Sequence, residues 1–141
     1  MEVAFATLAD YANITREGKL NLMGVFDSIS AVSYPAAHPQ MHLVIRFELF
    51  RHEKGKNHDI EIQFVDEDGK KLFSLAAQVG IPANATIATT TVNNDQIIGI
   101  NGLVLPKPGT YQFVILIDKN VAKGKEVRLI ATQIQAKSDG Q

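Results

Sequence analysis

The chain has 141 residues, of which 45% are hydrophobic and 21% charged, a composition typical of one folded globular domain. Fourteen basic and fifteen acidic side chains nearly cancel, which argues against a basic surface for nucleic acid. Cysteine is absent, which excludes disulfides, thiolate nucleophiles and cysteine-ligated metal centres. We expect one domain over residues 1–135 and a loose tail over residues 136–141.

The sequence also lacks the signals of export and membrane insertion. It does not start with a basic leader followed by an apolar core, and no apolar run approaches the roughly 18 residues of a membrane span. We therefore expect a cytoplasmic protein that has no membrane partner and, because no cofactor motif is visible, binds no cofactor.

Extended segments fill the N-terminal third. Residues 3–11 and 19–31 each predict one strand, joined by a turn near residues 16–18. Residues 33–39 predict a loop, because their two prolines disfavour both a helix and a central strand.

The strongest signal is the strict period-two alternation of residues 41–50. A polar loop joins this strand to the alternating segment 60–64, which predicts a hairpin. Further strands are predicted over residues 73–81, 97–105, 111–117 and 127–131, with a long connection over residues 82–96.

Tyr111 follows a Pro108-Gly109 turn at the start of the penultimate predicted strand. This position resembles the tyrosine corner of immunoglobulin-like sandwiches, although a plain core aromatic explains it equally well. Short strands separated by turns indicate an all-β fold. We predict an antiparallel, immunoglobulin-like sandwich of two sheets with seven or eight strands.

Three segments carry a resemblance to a known family. They are residues 8–12, residues 18–27 and the Pro-Gly-Thr-Tyr run at residues 108–111. Together they resemble an uncharacterised bacterial family described as a domain of unknown function. The resemblance implies a small β-sandwich over most of the chain, and it implies no catalytic or binding residue.

The four histidines do not predict a shared metal site. A strand over residues 41–50 rises about 3.3 Å per residue, so His42 and His52 lie roughly 30 Å apart. His52 and His58 flank one loop near Glu53 and Asp59 and could meet there, but solvated loop residues are the simpler interpretation. The acidic turn at residues 66–68 is followed by two lysines, which disfavours calcium.

Asp10 and Asp27 interrupt apolar stretches. Such a carboxylate is either bonded structurally or perturbed for function, and we expect the structural role, with Arg46 or Arg128 as a partner of Asp27. We expect no enzyme, because no nucleophile motif or phosphate loop is present.

Several strands are apolar on both faces, although the outer face of an open sandwich is normally polar. If the strands over residues 41–50, 111–117 and 127–131 are neighbours, their outer side chains form one apolar patch with a polar rim. This predicted contact surface consists of Val44, Arg46, Glu48, Phe50, Val114, Leu116, Ile130 and Ile134.

Three functional hypotheses follow. The leading one is a non-enzymatic module that contacts a protein partner or a second copy of itself, in which case Leu116→Glu would dissociate a dimer. The second is a small-ligand or carbohydrate binder that uses Tyr34, His38 and the connection over residues 82–96. The third is an enzyme whose site is assembled in space from Asp10, Asp27 or a histidine.

Overall fold

A computed structural model describes residues 1–121 and 126–136. Ten strands are present in this part of the chain, together with a single 3-10 turn at Arg51–Glu53. The strands are β1 (Glu2–Ile14), β2 (Leu20–Phe26), β3 (Ser28–Ala31), β4 (Ala36–Phe50), β5 (Asn57–Val65), β6 (Lys71–Gly80), β7 (Thr91–Leu105), β8 (Gly109–Ile117), β9 (Asn120–Val121) and β10 (Val127–Gln133).

The strands form two sheets, which confirms the predicted sandwich. The first sheet has the order β2-β1-β4-β7, and the second has the order β3-β10-β8-β5-β6, with β9 paired to β8. All pairings are antiparallel except the one between β3 and β10, which is parallel. The strand count exceeds the predicted seven or eight because it includes two very short strands, β3 and β9, that the sequence did not indicate as separate strands.

The core lies between the sheets and contains the side chains that the alternation predicts. Leu43, Ile45 and Phe47 of β4 are buried, as are Phe113 and Ile115 of β8. Apolar burial of this kind is the main favourable term in folding. An aromatic cluster adds to it, in which the ring of Phe64 stacks on Phe73 and Tyr111 and meets Phe113 at an angle.

The tyrosine corner is present. The Tyr111 hydroxyl donates to the Lys107 carbonyl at 2.6 Å and accepts from the Lys107 N–H at 3.3 Å. Tyr111 is fully buried otherwise, so this pair of bonds satisfies its one polar atom. The corner fixes the turn that leads from β7 into β8.

The predicted single strand over residues 19–31 is wrong. The chain bends at Asp27, so that β2 belongs to the first sheet and β3 to the second. The Asp27 carbonyl accepts a hydrogen bond from the Ile130 N–H at 2.7 Å, which holds this crossover against β10. The chain itself thereby connects the two sheets along one side of the sandwich.

The predicted loops at residues 33–39 and 82–96 are both shorter in the structure. β4 begins at Ala36 and contains Pro39, which has no register partner in β7; Gly102, with a φ of +65°, lies opposite it, between the pairs His38–Leu103 and Gln40–Asn101. β7 begins at Thr91, which pairs with Phe50. None of the described helices is long and apolar enough to cross a membrane.

Candidate contact surface

The predicted contact surface does not exist as one patch. Its first four residues (Val44, Arg46, Glu48 and Phe50) lie on β4 in the first sheet. Val114, Leu116 and Ile130 lie on β8 and β10 in the second sheet, and Ile134 follows β10. The prediction failed because it took β4, β8 and β10 as neighbours, whereas β4 pairs with β1 and β7.

The four β4 residues belong to a larger surface, the outer face of the first sheet. Residues that pair directly across antiparallel strands share a face, so the register defines its members. They are Glu2, Phe5, Thr7, Ala9, Tyr11 and Asn13 of β1, Asn21, Met23 and Val25 of β2, Gln40, His42, Val44, Arg46, Glu48 and Phe50 of β4, and Thr91, Asn93, Asp95, Ile97, Gly99 and Asn101 of β7. We call this surface the first-sheet face.

One side of the first-sheet face presents large apolar side chains to solvent. Met23 is 61% exposed, Val25 60% and Tyr11 47%. Met23 pairs with Tyr11 across the strands, and Val25 pairs with Ala9, so the three side chains are contiguous. The sequence alone did not single them out, although both alternating sets of residues 20–26 are apolar apart from Asn21 and Gly24.

Few side chains project from the middle of the first-sheet face, because its residues are small, buried or fixed by contacts with their neighbours. Ala9 and Val44 are fully buried although both lie on the outer side of the sheet. His42 is fixed by its contacts: its Nδ1 accepts the Ala12 N–H at 2.9 Å, and its ring lies 5.3 Å from that of Tyr11. Gly99 lies opposite His42, and a Cβ added there would make an ordinary contact with the imidazole, 3.7 Å from its Cδ2.

Two opposite charges at the far side of the first-sheet face, Arg46 and Asp95, neutralise each other, whereas Glu48 lies farther along β4 on the same face. Arg46 donates two hydrogen bonds to Asp95, from Nε at 2.7 Å and from an Nη at 3.1 Å, and its guanidinium lies 5.4 Å from the ring centre of Phe5. The hydrogen bonds that Arg46 donates to the Asp95 carboxylate raise the pKa of Arg46. The expected pairing of Asp27 with Arg46 is therefore wrong.

The remaining contact residues face outward from the second sheet. Ile134 is exposed there, but Val114, Leu116 and Ile130 are half-buried among their neighbours. Glu61 and Gln63 of β5 share this face and bond to each other at 3.0 Å. The exposed apolar side chains on this side are Ile134, at 49%, and Val121 of β9, at 56%, which pairs with Leu116.

The predicted carbohydrate site is not assembled. Tyr34 precedes β4 and its hydroxyl donates to the Thr132 carbonyl at 2.6 Å, while His38 lies against Phe26. The 81–90 loop lies beyond the other end of β4, next to Phe50. The fifteen residues of β4 therefore separate the two halves of the proposed site.

His52 and His58, which the sequence allowed to meet across one loop, do not meet. The His52 ring stacks on Phe50 at 5.8 Å, whereas His58 Nδ1 lies 2.7 Å from Asp118 Oδ2. Over residues 1–121 and 126–136, no group of three or more histidine, aspartate or glutamate side chains is arranged to hold a metal ion.

His58 instead joins a polar cluster of structural character. Its buried Nε2 points toward Glu53 Oε1 at 3.4 Å, and Glu53 also accepts the Phe50 N–H and binds the Met1 amino group. Asp118 accepts the Asp59 N–H at 3.0 Å in addition to its His58 contact. The cluster thus ties the 3-10 turn, β5 and the turn after β8 together.

Asp10 and Asp27 are both exposed and lie apart, Asp10 on β1 and Asp27 at the crossover between β2 and β3. The Asp10 side chain lies over Gly24, where a Cβ would collide with its carboxylate. Asp27 lies in a shallow depression of about 310 Å³ whose lining includes Glu126 and Arg128 but no histidine. The acidic turn is structural, because Asp66 Oδ1 accepts the N–H groups of Asp68 and Lys70.

Comparison with known proteins identifies a family and no activity. A model of a family of unknown function (DUF6941) matches residues 4–130. The search of curated proteins found no match. Two crystal structures of a glycosyl hydrolase family 2 member from Bacteroides cellulosilyticus are similar, with identities of 17% and 15% and a TM-score of 0.40 each.

These likenesses cover 67% of this chain but only 13% and 12% of the hydrolase chains, so this chain spans about an eighth of their length. The assignment of the sandwich fold rests on the two sheets of this chain and not on these similarities, whose TM-score is only 0.40.

Proposed function

The chain belongs to this family of unknown function, and we propose that it is a non-enzymatic β-sandwich module that binds a second copy of itself through the first-sheet face. The observation that carries the proposal is the contiguous exposure of Tyr11, Met23 and Val25 beside a flat floor. Exposed apolar patches of this kind usually mark a contact surface.

The charge distribution favours a second copy as the partner. An interface around a two-fold axis brings the same patch of both copies together, so unpaired like charges near its centre are unfavourable. The apolar half of the first-sheet face carries the phenol of Tyr11 and the imidazole of His42, and none of its described residues is a carboxylate, lysine or arginine. Arg46 and Asp95 lie farther along and already neutralise each other, and the carboxylate of Glu48 lies beyond them, away from the apolar half.

The size of the face sets the expected affinity. Four strands at about 4.8 Å spacing and seven residues at about 3.3 Å each give a footprint of roughly 440 Å². Stable interfaces bury about 800 Å² per partner, so we expect a weak dimer that forms at micromolar concentrations.

Light scattering coupled to size exclusion, run over a range of micromolar concentrations, tests this proposal. The wild type should approach twice the mass of one chain as its concentration rises. Met23→Glu and Val25→Glu should weaken dimerisation about tenfold or more, because each variant places a carboxylate in an apolar contact. Both positions are largely exposed, so the fold should tolerate the changes.

Leu116→Glu and Val121→Glu serve as matched controls. Leu116 lies on the outer face of the second sheet and Val121 on β9, so neither touches the first-sheet face. Both variants should dimerise like the wild type. A wild type that stays monomeric, or a dimer that Leu116→Glu disrupts and Met23→Glu does not, would refute the proposal.

A further inference from the structure

The side of the sandwich opposite the Asp27 crossover is only half closed. There β6 and β7 are the edge strands of their sheets and face each other. The 81–90 loop connects them and covers one half of the seam: Ile81 is buried, and Ala85 and Ile87 pack on the core. Val79, beneath this loop, is buried as well.

The other half of the seam is an open apolar groove of about 570 Å³. Its walls are the inward-facing side chains of the two strands, chiefly Leu72, Phe73 and Leu75 of β6 and Ile98, Ile100 and Leu103 of β7. Leu72, Leu75 and Ile98 pack against the core and yet remain half-exposed. The groove is thus a part of the core that no segment of the described chain covers.

The β7 edge beside the groove is available for pairing. β7 has fifteen residues and pairs only with β4 among the described strands, so its outer backbone N–H and C=O groups have no strand partner. Natural edge strands are usually protected by lysine, by proline or by being short. β7 has neither lysine nor proline, and its one charged side chain, Asp95, is bound by Arg46.

We propose that this groove and the adjoining β7 edge bind an extended, uncharged segment of a partner protein, which adds a strand to the first sheet and places apolar side chains in the groove. The backbone edge requires an extended occupant, because a helix has no free backbone groups for it. No charged residue lines the groove, so a charged occupant would lose its hydration without compensation.

The 81–90 loop shows which side chains such a segment needs. Ala85 and Ile87 are two residues apart and both reach the core, which is the spacing of one face of an extended chain. A segment with small or medium apolar residues at alternate positions therefore fits the open half. Its contact area lies at the low end of specific interfaces, so we expect micromolar affinity.

A capped hexapeptide of alternating threonine and valine tests the proposal with full-length protein. Binding is followed by nuclear magnetic resonance, which reports amide exchange for each residue. We expect saturable binding, slower exchange of β7 amides in and beside residues 96–101, and loss of binding when alternate peptide amides are N-methylated. The N-methylated peptide keeps its side chains but cannot form the ladder.

Two protein variants separate the groove from the rest of the surface. Leu75→Gln places an amide in the groove wall and should weaken binding about tenfold or more. Ala76→Gln, the next residue, points to the opposite face of β6 and should bind like the wild type. Thermal unfolding of both variants verifies that they fold, and Val104→Lys at the exposed groove mouth gives a second substitution that should weaken binding.

Three results would overturn the proposal. The first is that the alternating peptide does not bind, and the second is that the N-methylated peptide binds as well as the unmodified one. The third is that the β7 amides are already protected from exchange in a self-associated wild type, which would make a second copy of the chain the occupant. Met23→Glu should leave peptide binding unchanged, so failure here is distinct from failure of the self-association described above.

Discussion

At the scale of single residues, the Tyr111 hydroxyl is the clearest polar contributor to stability. Tyr111→Phe removes both bonds to Lys107 and leaves the Lys107 carbonyl without this donor. We expect a loss of about 1 to 2 kcal/mol in the free energy of unfolding, measured by urea denaturation. An unchanged urea midpoint would show that water replaces the hydroxyl at the corner.

The carboxyls of the His58 cluster make stability depend on pH. The hydrogen bond to His58 holds the pKa of Asp118 below its ordinary value. Burial raises the pKa of Glu53, but the bonds from the Met1 amino group and the Phe50 N–H outweigh it, and the net pKa of Glu53 is lowered. Both carboxyls therefore bind protons less readily in the folded chain than in the unfolded chain.

Acidification should consequently destabilise the protein through these two groups. Their contribution is fully present above the unfolded pKa values and is lost as the pH falls through the folded ones, which begins below about pH 5. Urea midpoints measured across this range should fall, and Asp118→Asn should reduce the dependence on pH. A variant with the same acid sensitivity as the wild type would exclude Asp118 as a source.

At the scale of strands, the backbone of β2 requires a glycine at position 24. Gly24 has a φ of +69°, and an added Cβ would meet the Asp10 carboxylate. Gly102 has a similar φ of +65° with no atom within 4 Å of that position. Comparison of the two alanine variants thus separates backbone strain from the displacement of Asp10.

We expect Gly102→Ala to cost about 1 kcal/mol for the left-handed backbone alone. Gly24→Ala should cost more, because Asp10 must also move. The difference should shrink in an Asp10→Ala background, which removes the carboxylate and leaves only the Cβ of residue 10, at 3.1 Å from the added Cβ. Chemical denaturation measures the free energy of unfolding of Gly24→Ala, Gly102→Ala, Asp10→Ala and the double variant Asp10→Ala with Gly24→Ala. Equal losses of free energy for Gly24→Ala and Gly102→Ala would contradict the role of Asp10.

Strand parity was predictable from the sequence, but sheet membership was not. The alternation of β4 correctly places Leu43, Ile45 and Phe47 in the core, since neighbouring side chains of a strand point to opposite faces. Pairing is decided by contacts between distant parts of the chain, which a local pattern does not encode. Asp27 shows the limit: no glycine or proline marks the point where β2 leaves the first sheet.

The same limit explains the candidate surface. The prediction that some strands are apolar on their outer side is correct for β4, yet its grouping with β8 and β10 required an order that the fold does not have. β7 begins earlier than predicted. Its residues 93–95 are all polar, so no alternation marks them as a strand, but they pair with β4 in the structure. Asp95 in this segment is the partner that Arg46 takes in place of Asp27.

At the scale of the whole molecule, the first sheet carries both proposed contacts. Adjacent residues of β7 point in opposite directions, so Ile97 contributes to the first-sheet face and Ile98 to the groove wall. One copy could therefore hold a second copy on its face and an extended segment at its edge without the two competing for the same side chains.

Contacts between copies through the first-sheet face are the central claim, and isotope-filtered nuclear Overhauser spectroscopy tests it most directly. A sample that mixes labelled and unlabelled chains at high concentration reports only contacts between copies. We predict cross-peaks from the methyl groups of Met23 and Val25 in one copy to the first-sheet face of the other. Cross-peaks that arise instead from Leu116 or Ile130, or none at all, would contradict it.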